Sequence, residues 1–332
     1  MRALILAPFS EHYLARLRGR LDVTCESWLE TNILHDPAEL GARLQAEDIA
    51  VLVVEADFVL EELFDAAPGL RLVGICRNAL NQVDLAAAAT HGVAVTHAPG
   101  RNANAVAEMT IGLMLALFRR IPAAHSFVSG GGWRDPSAGY RQFRGREVAE
   151  STVGIVGFGQ IGREVARLCR AMGARVLACD PIVPHRQMRA LGVEPCDRDQ
   201  LLAAADVVTL HVPDSDATHH LVDAAFLAAM QPHACLINTG SGASVDPRAL
   251  ADALERGVVA GAALDVFEGH PLPQSSPLMS APNLLLTPHI GGATTETVDR
   301  HSRILTEEIE RFLDGKPLLH AVDTEHAAAR GR

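Results

Sequence analysis

The sequence predicts an α/β protein built from two doubly wound parallel sheets, and three observations predict it. Short runs rich in Val, Ile and Leu alternate with longer Ala-, Leu- and Arg-rich segments of helical period, the pattern of βαβ units around a parallel sheet. At 332 residues the chain is longer than one hydrophobic core usually supports, so two domains are expected. A glycine-rich hexapeptide, Gly157-Phe158-Gly159-Gln160-Ile161-Gly162, joins one apolar run to a helical one.

In order, the apolar runs predict strands at Ala3–Leu6, Ile49–Val54, Leu72–Ile75, Val93–Thr96, Thr152–Val156, Arg175–Cys179, Val207–His211, Cys235–Asn238, Gly261–Leu264 and Leu284–Leu286. A turn around Pro99 to Asn104 feeds a long helix, Ala105 to Arg120, and a loop near Thr287 to Gly292 leads into a last helix, Thr294 to Leu313. With those helices as crossovers, the first domain is discontinuous, residues 1–102 plus 292–332, and 103–291 form a nucleotide-binding insert. Both domains should be Rossmann-like or flavodoxin-like, with the ligand expected in a cleft between them. Disorder is expected only at Thr324 to Arg332.

Composition narrows the function classes. The apolar fraction is 48% and the charged fraction 21%, with no low-complexity tract, as in a globular protein. A net charge of −11 and the lack of a clustered Lys/Arg patch argue against a nucleic-acid partner. Six scattered cysteines with no CxxC pair are the pattern of reduced thiols. Pro8 and Glu11 interrupt the apolar N-terminus too soon for a signal peptide, and Met109 to Phe118 falls well short of the ~20 residues that cross a bilayer. A cytoplasmic protein with no membrane partner is expected.

The glycine hexapeptide has the context that a dinucleotide site requires: the strand Thr152–Val156 before it and the helix Arg163 to Met172 after it. Gly157 permits the tight turn, Gly159 lets the backbone approach a pyrophosphate, and Gly162 allows close packing of helix on strand. The next strand ends in Asp180, 18 residues after Gly162, where a carboxylate accepts hydrogen bonds from both ribose hydroxyls. An acid there repels a 2′-phosphate, and Pro181 follows where an NADP protein more often carries Arg, so the cofactor read from these residues is NAD rather than NADP.

Further blocks resemble the D-2-hydroxyacid dehydrogenase family. Pro99-Gly100-Arg101-Asn102 with Ala105-Val106-Ala107-Glu108 is similar to its interdomain entry, and Phe143-Arg144-Gly145-Arg146-Glu147 to the run before its Rossmann strand. Asp206 to Pro213 resembles the cofactor-lining strand and loop, Leu236-Ile237-Asn238-Thr239 the strand leading to the active site, and Ala263 to Glu268 and Thr287 to Gly292 the last two blocks. The resemblance implies the two-domain fold, a homodimer, and cofactor contacts at His211, Pro213, Thr218, Thr239, Gly240, Ser241, Asp265, His289 and Gly291 beside Gly157, Gly159, Gln160, Ile161, Gly162 and Asp180.

Reduction of a 2-oxo acid needs a proton for the carbonyl oxygen, a cation to polarise it and a cradle for the carboxylate. In the family a His supplies the proton, a Glu is paired with that His, and an Arg grips the substrate. His289 stands at the acid/base position. The family's N-T-A-R-G run is Asn238-Thr239-Gly240-Ser241-Gly242 here, so Ser241 replaces the arginine. Its D-V-F-x-x-E-P run is Asp265-Val266-Phe267-Glu268-Gly269-His270-Pro271, so His270 replaces the glutamate. A serine hydroxyl gives one neutral hydrogen bond where a guanidinium gave a bidentate grip, and two adjacent imidazoles share a proton that a carboxylate would have held on His289. Turnover of simple 2-hydroxy acids is therefore expected to be weak.

The family's carboxylate-binding loop aligns with Cys76 to Asp84, where the glycine positions are Asn78 and Ala79 and Arg77 offers a cation for an anionic small-molecule substrate; a surface salt bridge is the alternative for Arg77. A zinc site at His270 and His289 lacks a third ligand at a recognisable spacing, so no metal is assigned. His219 and His220 read as a solvated turn, and Glu268 lies two residues from His270 without the reach to orient His289. Two functions fit: an NAD-dependent oxidoreductase acting on an unusual small acid, or a degenerate NAD(H)-binding sensor or partner-binding module.

Overall fold

The apolar runs become the strands of two all-parallel sheets in this computed structural model, which describes residues 1–323. The disorder expected for Thr324 to Arg332 lies outside the described residues. One unit comprises Met1–Arg101 and the chain from Thr294 onward; the other comprises Asn102–Ala293.

The first unit holds β1 (Arg2–Leu6), β2 (Asp22–Cys25), β3 (Ile49–Val54), β4 (Leu72–Ile75) and β5 (Ala94–His97), in the order β2-β1-β3-β4-β5. Its inner strands are apolar on both faces because helices cover both: Leu4, Leu52 and Val73 join one buried cluster, and Ile5, Val53 and Leu72 the other. The helix Thr295–Leu313 buries Leu305 and Ile309 in the second cluster, and the Thr294 hydroxyl caps it by accepting from the Thr297 N–H at 3.1 Å.

The second unit holds β6 (Thr152–Val156), β7 (Arg175–Cys179), β8 (Glu194–Pro195), β9 (Val207–Leu210), β10 (Cys235–Asn238), β11 (Gly261–Leu264) and β12 (Leu284–Leu286), in the order β12-β11-β10-β9-β6-β7-β8. The helix Ala103–Phe118 packs Ala107, Leu113, Met114 and Phe118 against one face. It starts two residues before the expected Ala105. No single helix among the described residues is long and apolar enough to cross a membrane.

Strands β2 and β8 escape the apolar-run criterion for a physical reason. Both pair on one side only, at a sheet edge, and β2 is at most half-buried while β8 is two residues long. Neither needs a continuous apolar stretch.

Each sheet order reverses once, between β1 and β3 in the first unit and between β6 and β9 in the second, and ligands of doubly wound sheets bind beyond the strand ends at such points. In the first unit side chains fill this position. His301 donates from Nε2 to the Pro8 carbonyl at 2.7 Å and accepts at Nδ1 from Arg101 at 2.7 Å; Arg101 pairs with Glu55 at 2.6 Å, and Trp28 donates to Glu55 at 3.1 Å. Two ring nitrogens with fixed partners set one neutral tautomer of His301, which has no exposed surface. Burial and then the Arg101 charge push its pKa down to about 4. Burial raises the Glu55 carboxyl, but Arg101, His301 and the Trp28 hydrogen bond together outweigh it and hold the group below the usual carboxylate range.

The sign of the pH dependence follows. A histidine with a depressed folded-state pKa favours the folded state above its unfolded pKa of about 6.5, and that contribution is lost as pH falls toward 4. Glu55 adds its own loss below about 4.5. The urea midpoint of this unit, followed by Trp28 fluorescence in a Trp133→Phe background, should drop between pH 7 and pH 5 by the equivalent of roughly 2 kcal/mol. His301→Gln should flatten that slope.

Candidate cofactor and catalytic site

The glycine turn sits at the second unit's switch point, and each glycine has a separate steric reason. Gly157 has φ +90°, and a Cβ on it would lie 2.6 Å from the His211 carbonyl oxygen at the end of β9. A Cβ on Gly162 would meet the Gly157 oxygen at 2.2 Å, so the helix lies directly on the turn. At Gly159 nothing lies within 4 Å of that position. The helix runs Gln160–Ala171, beginning inside the hexapeptide rather than at Arg163, with Gly159 as its N-cap and no side chain capping it. Gln160 and Ile161 therefore form its first turn. An uncapped helix N-terminus behind a side-chain-free approach fits the pyrophosphate of a dinucleotide.

Asp180 does more than the sequence indicates. Its carboxylate accepts the N–H of Phe158 at 2.7 Å, of Ile182 at 2.8 Å and of Val183 at 2.9 Å, which ties the end of β7 to the glycine turn. Burial works against its charged form, yet the three N–H bonds and nearby Arg163 hold its pKa below the usual carboxylate range. It is a fixed anion beside the turn.

The other cofactor candidates cluster at the ends of β9 and β10. His211 Nε2 shares a hydrogen bond with the Thr209 hydroxyl at 3.0 Å, its Nδ1 is buried without a partner, and burial pushes its pKa down to about 3. Thr218 donates to the Pro213 carbonyl at 2.7 Å and so shapes that loop. Thr239 is bonded to Thr110 of the long helix at 2.9 Å. A Cβ on Gly240 would lie 3.0 Å from the Leu210 oxygen, which places the turn after β10 against the end of β9.

His289 is positioned by Asp265. This carboxylate, 1% exposed at the end of β11, accepts from the Thr287 hydroxyl at 2.6 Å, the Ile290 N–H at 2.9 Å and the Gly291 N–H at 2.7 Å. Those donors bracket His289, which has φ +56° and an N–H bonded to the Thr287 carbonyl at 3.0 Å. A β-substituted residue in left-handed backbone needs such over-determination. A Cβ on Gly291 would lie 2.9 Å from the Asp265 carboxylate. Asp265 is thus the support beneath the turn.

From that turn His289 Nδ1 meets His270 Nε2 at 3.1 Å, with ring centroids 4.9 Å apart. The two histidines that the sequence aligns at neighbouring positions are thus in contact. Both residues are exposed. Ser241 lies in the turn after β10, where its carbonyl accepts from the Asn238 side chain at 2.7 Å and the Ser244 hydroxyl at 2.6 Å. The backbone of Ser241 is held; its own hydroxyl has no hydrogen bond among the described residues.

Arg77, Asn78 and Ala79 belong to the other unit, in the exposed loop after β4. The surface salt bridge considered for Arg77 is not found among the described residues. Loss of solvation lowers its pKa, Glu55 opposing and Arg101 reinforcing that shift. Asn78 offers its carbonyl to a ring nitrogen of His97 at 3.1 Å.

Two features escaped the sequence. Nothing in the spacing of Asp265 reveals that all the hydrogen bonds of its carboxylate go to the His289 turn. His220 is not a fully solvated turn residue: it has φ +46°, a half-buried side chain, and an Nε2 that is buried and faces Glu268 at 3.5 Å.

Asp265→Asn retains the shape but replaces one acceptor oxygen with a donor facing other donors. Its urea stability should fall by about 2–4 kcal/mol, and a wild-type midpoint would contradict the assigned support.

Comparison with known proteins agrees with this fold. The model of the D-isomer specific 2-hydroxyacid dehydrogenase NAD-binding domain matches residues 111–291. The putative 2-hydroxyacid dehydrogenase YoaD of Bacillus subtilis is 33% identical over 321 residues, 96% of this chain and 92% of that protein. The D-3-phosphoglycerate dehydrogenase of Archaeoglobus fulgidus is 34% identical over 324 residues, and the chain spans only 59% of that longer protein. The crystal structure of TT0316 protein from Thermus thermophilus superposes with a TM-score of 0.87 at 34% identity, covering 97% of this chain and 100% of that one. The chain belongs to the D-isomer-specific 2-hydroxyacid dehydrogenase family of NAD-binding oxidoreductases.

Proposed function

We propose that the chain transfers hydride between NAD and the CH–OH group, or a related C=O or C=N group, of an unusual small acid. His289 acts as acid/base, His270 as its proton partner, Ser241 as a hydrogen-bond donor, and Arg77 with Asn78 and Ala79 as contacts for the substrate anion. The homodimer and the preference for NAD over NADP belong to the same proposal. The observation that carries it is the 3.1 Å contact of His270 with a His289 held on a turn by buried Asp265.

The nicotinamide, when bound, supplies or accepts the hydride. The chain's own residues manage the proton. In an Nδ1···Nε2 hydrogen bond one nitrogen must donate. In the singly protonated pair His270 donates from Nε2 to His289 Nδ1, and as His289 Nε2 gives its proton to a substrate oxygen or nitrogen the shared proton moves to His289 Nδ1, leaving both rings neutral. In the reverse direction the neutral pair has His289 Nδ1 donating, and its Nε2 accepts the proton of a substrate hydroxyl as the shared proton returns to His270. Because His270 is exposed, its far nitrogen exchanges the proton with water.

Ser241 sets the limit on substrate. One neutral hydroxyl cannot replace a bidentate guanidinium on a carboxylate and carbonyl together, a loss of about 10²-fold in rate for ordinary 2-oxo acids. A second reading, an NAD(H)-binding sensor, rests on this same substitution.

With NADH and a panel of 2-oxo acids, activity should be weak. Ser241→Arg combined with His270→Glu should raise kcat/KM by about 10²-fold; strong wild-type turnover would refute the proposal. A reaction of the natural substrate abolished by His289→Ala identifies the enzyme, whereas tight NADH binding indifferent to His289→Ala identifies the sensor. Fluorescence titration should show NADH binding at least about tenfold tighter than NADPH, with the difference collapsing in Asp180→Ala. Equal affinities in the wild type would contradict the Asp180 assignment.

A further inference from the structure

We infer that His219, His220 and Glu268 form a binding site for a borderline transition-metal ion of the Zn²⁺ class, separate from the His270–His289 pair. One ligand atom from each of the three lies within 4.8 Å of the others. His220 Nε2 is buried, makes no hydrogen bond, and stands 3.5 Å from the Glu268 carboxylate. Ligand atoms bound at 2.0–2.2 Å in tetrahedral geometry are separated by roughly 3.4 Å, which is the spacing already present between these two. It is too long and poorly aimed for a good hydrogen bond. The His219 and His220 rings stack at 4.1 Å with 17° between planes, so the third ligand is brought in by rotation of an exposed side chain.

The backbone holds this arrangement in place. The His220 N–H donates to the Ala243 carbonyl at 2.8 Å, Val222 bridges Val245, and Thr218 is tied to Pro213 and Ser215. His220 is therefore presented in left-handed backbone toward Glu268 rather than swinging on a loose loop. Two imidazoles and one carboxylate select against Mg²⁺ and Ca²⁺, which require mostly oxygen ligands, and suit Zn²⁺ or a similar ion with water completing the shell. Because Glu268 is two residues before His270, an ion here fastens the segment carrying His270 to the loop after β9. Metal would then restrain the proton partner of His289 without touching it.

Untagged full-length protein, stripped with chelator, is titrated with Zn²⁺ in competition with a chromophoric chelator, and with Co²⁺ for its visible absorption. One equivalent should bind with a Kd of about 1 μM or tighter. His220→Ala and Glu268→Gln should each weaken it by at least about tenfold, while His270→Ala and His289→Ala leave it unchanged. NADH binding by each variant verifies its fold. Absence of binding, or binding lost in His270→Ala or His289→Ala and retained in His220→Ala, would overturn the assignment.

Discussion

The candidate site depends on one buried carboxylate. Asp265 spends its hydrogen-bonding capacity on a hydroxyl and two backbone N–H groups of a single turn, and that turn keeps His289 in left-handed backbone where its ring reaches His270. A buried carboxylate without those donors would be costly to fold, and the turn without the carboxylate would have two N–H groups to satisfy elsewhere. Each therefore requires the other. The placement of His289 is in this sense an output of the packing around Asp265.

The two sheets use the same topological feature in opposite ways. In the first unit the switch point is filled by His301, Arg101, Glu55 and Trp28, with neutral and charged partners matched inside the protein. In the second the corresponding position is left open at Gly159, while Gly157 and Gly162 bring backbone against backbone on either side. Opposite chemistry follows from the residues that end the strands. A charged network consumes the ligand position of one sheet, and glycines preserve it in the other.

What could be read from the sequence was what depends on local pattern. The hexapeptide Gly157 to Gly162, Asp180 and ten of the strands announce themselves through spacing and apolar runs, because strands buried on both faces must be continuously apolar. Edge strands β2 and β8 lack that constraint and left no mark. At the site, the run holding His270 could be aligned residue for residue, and in the structure His270 contacts His289 at 3.1 Å. The tasks of Asp265 and Asp180 were not legible: a carboxylate looks the same in sequence whether it faces a ribose or three backbone amides. His220 was hidden for a similar reason, since its neighbour Glu268 is distant in the chain.

In the proposed function, an imidazole in place of a carboxylate changes what His289 can do. A His–Glu pair holds its proton on the histidine, whereas in the proposed mechanism the His–His pair shares it between two similar nitrogens and exchanges it with water through exposed His270. In the proposed function, Ser241 at the position aligned with the family's arginine adds a neutral hydroxyl in place of a charged grip. The most direct measurement is the ¹⁵N spectrum of histidine-labelled protein at neutral pH. A coupling across the hydrogen bond between His289 Nδ1 and His270 Nε2 is the predicted result; two rings titrating as isolated histidines with no such coupling would contradict the account.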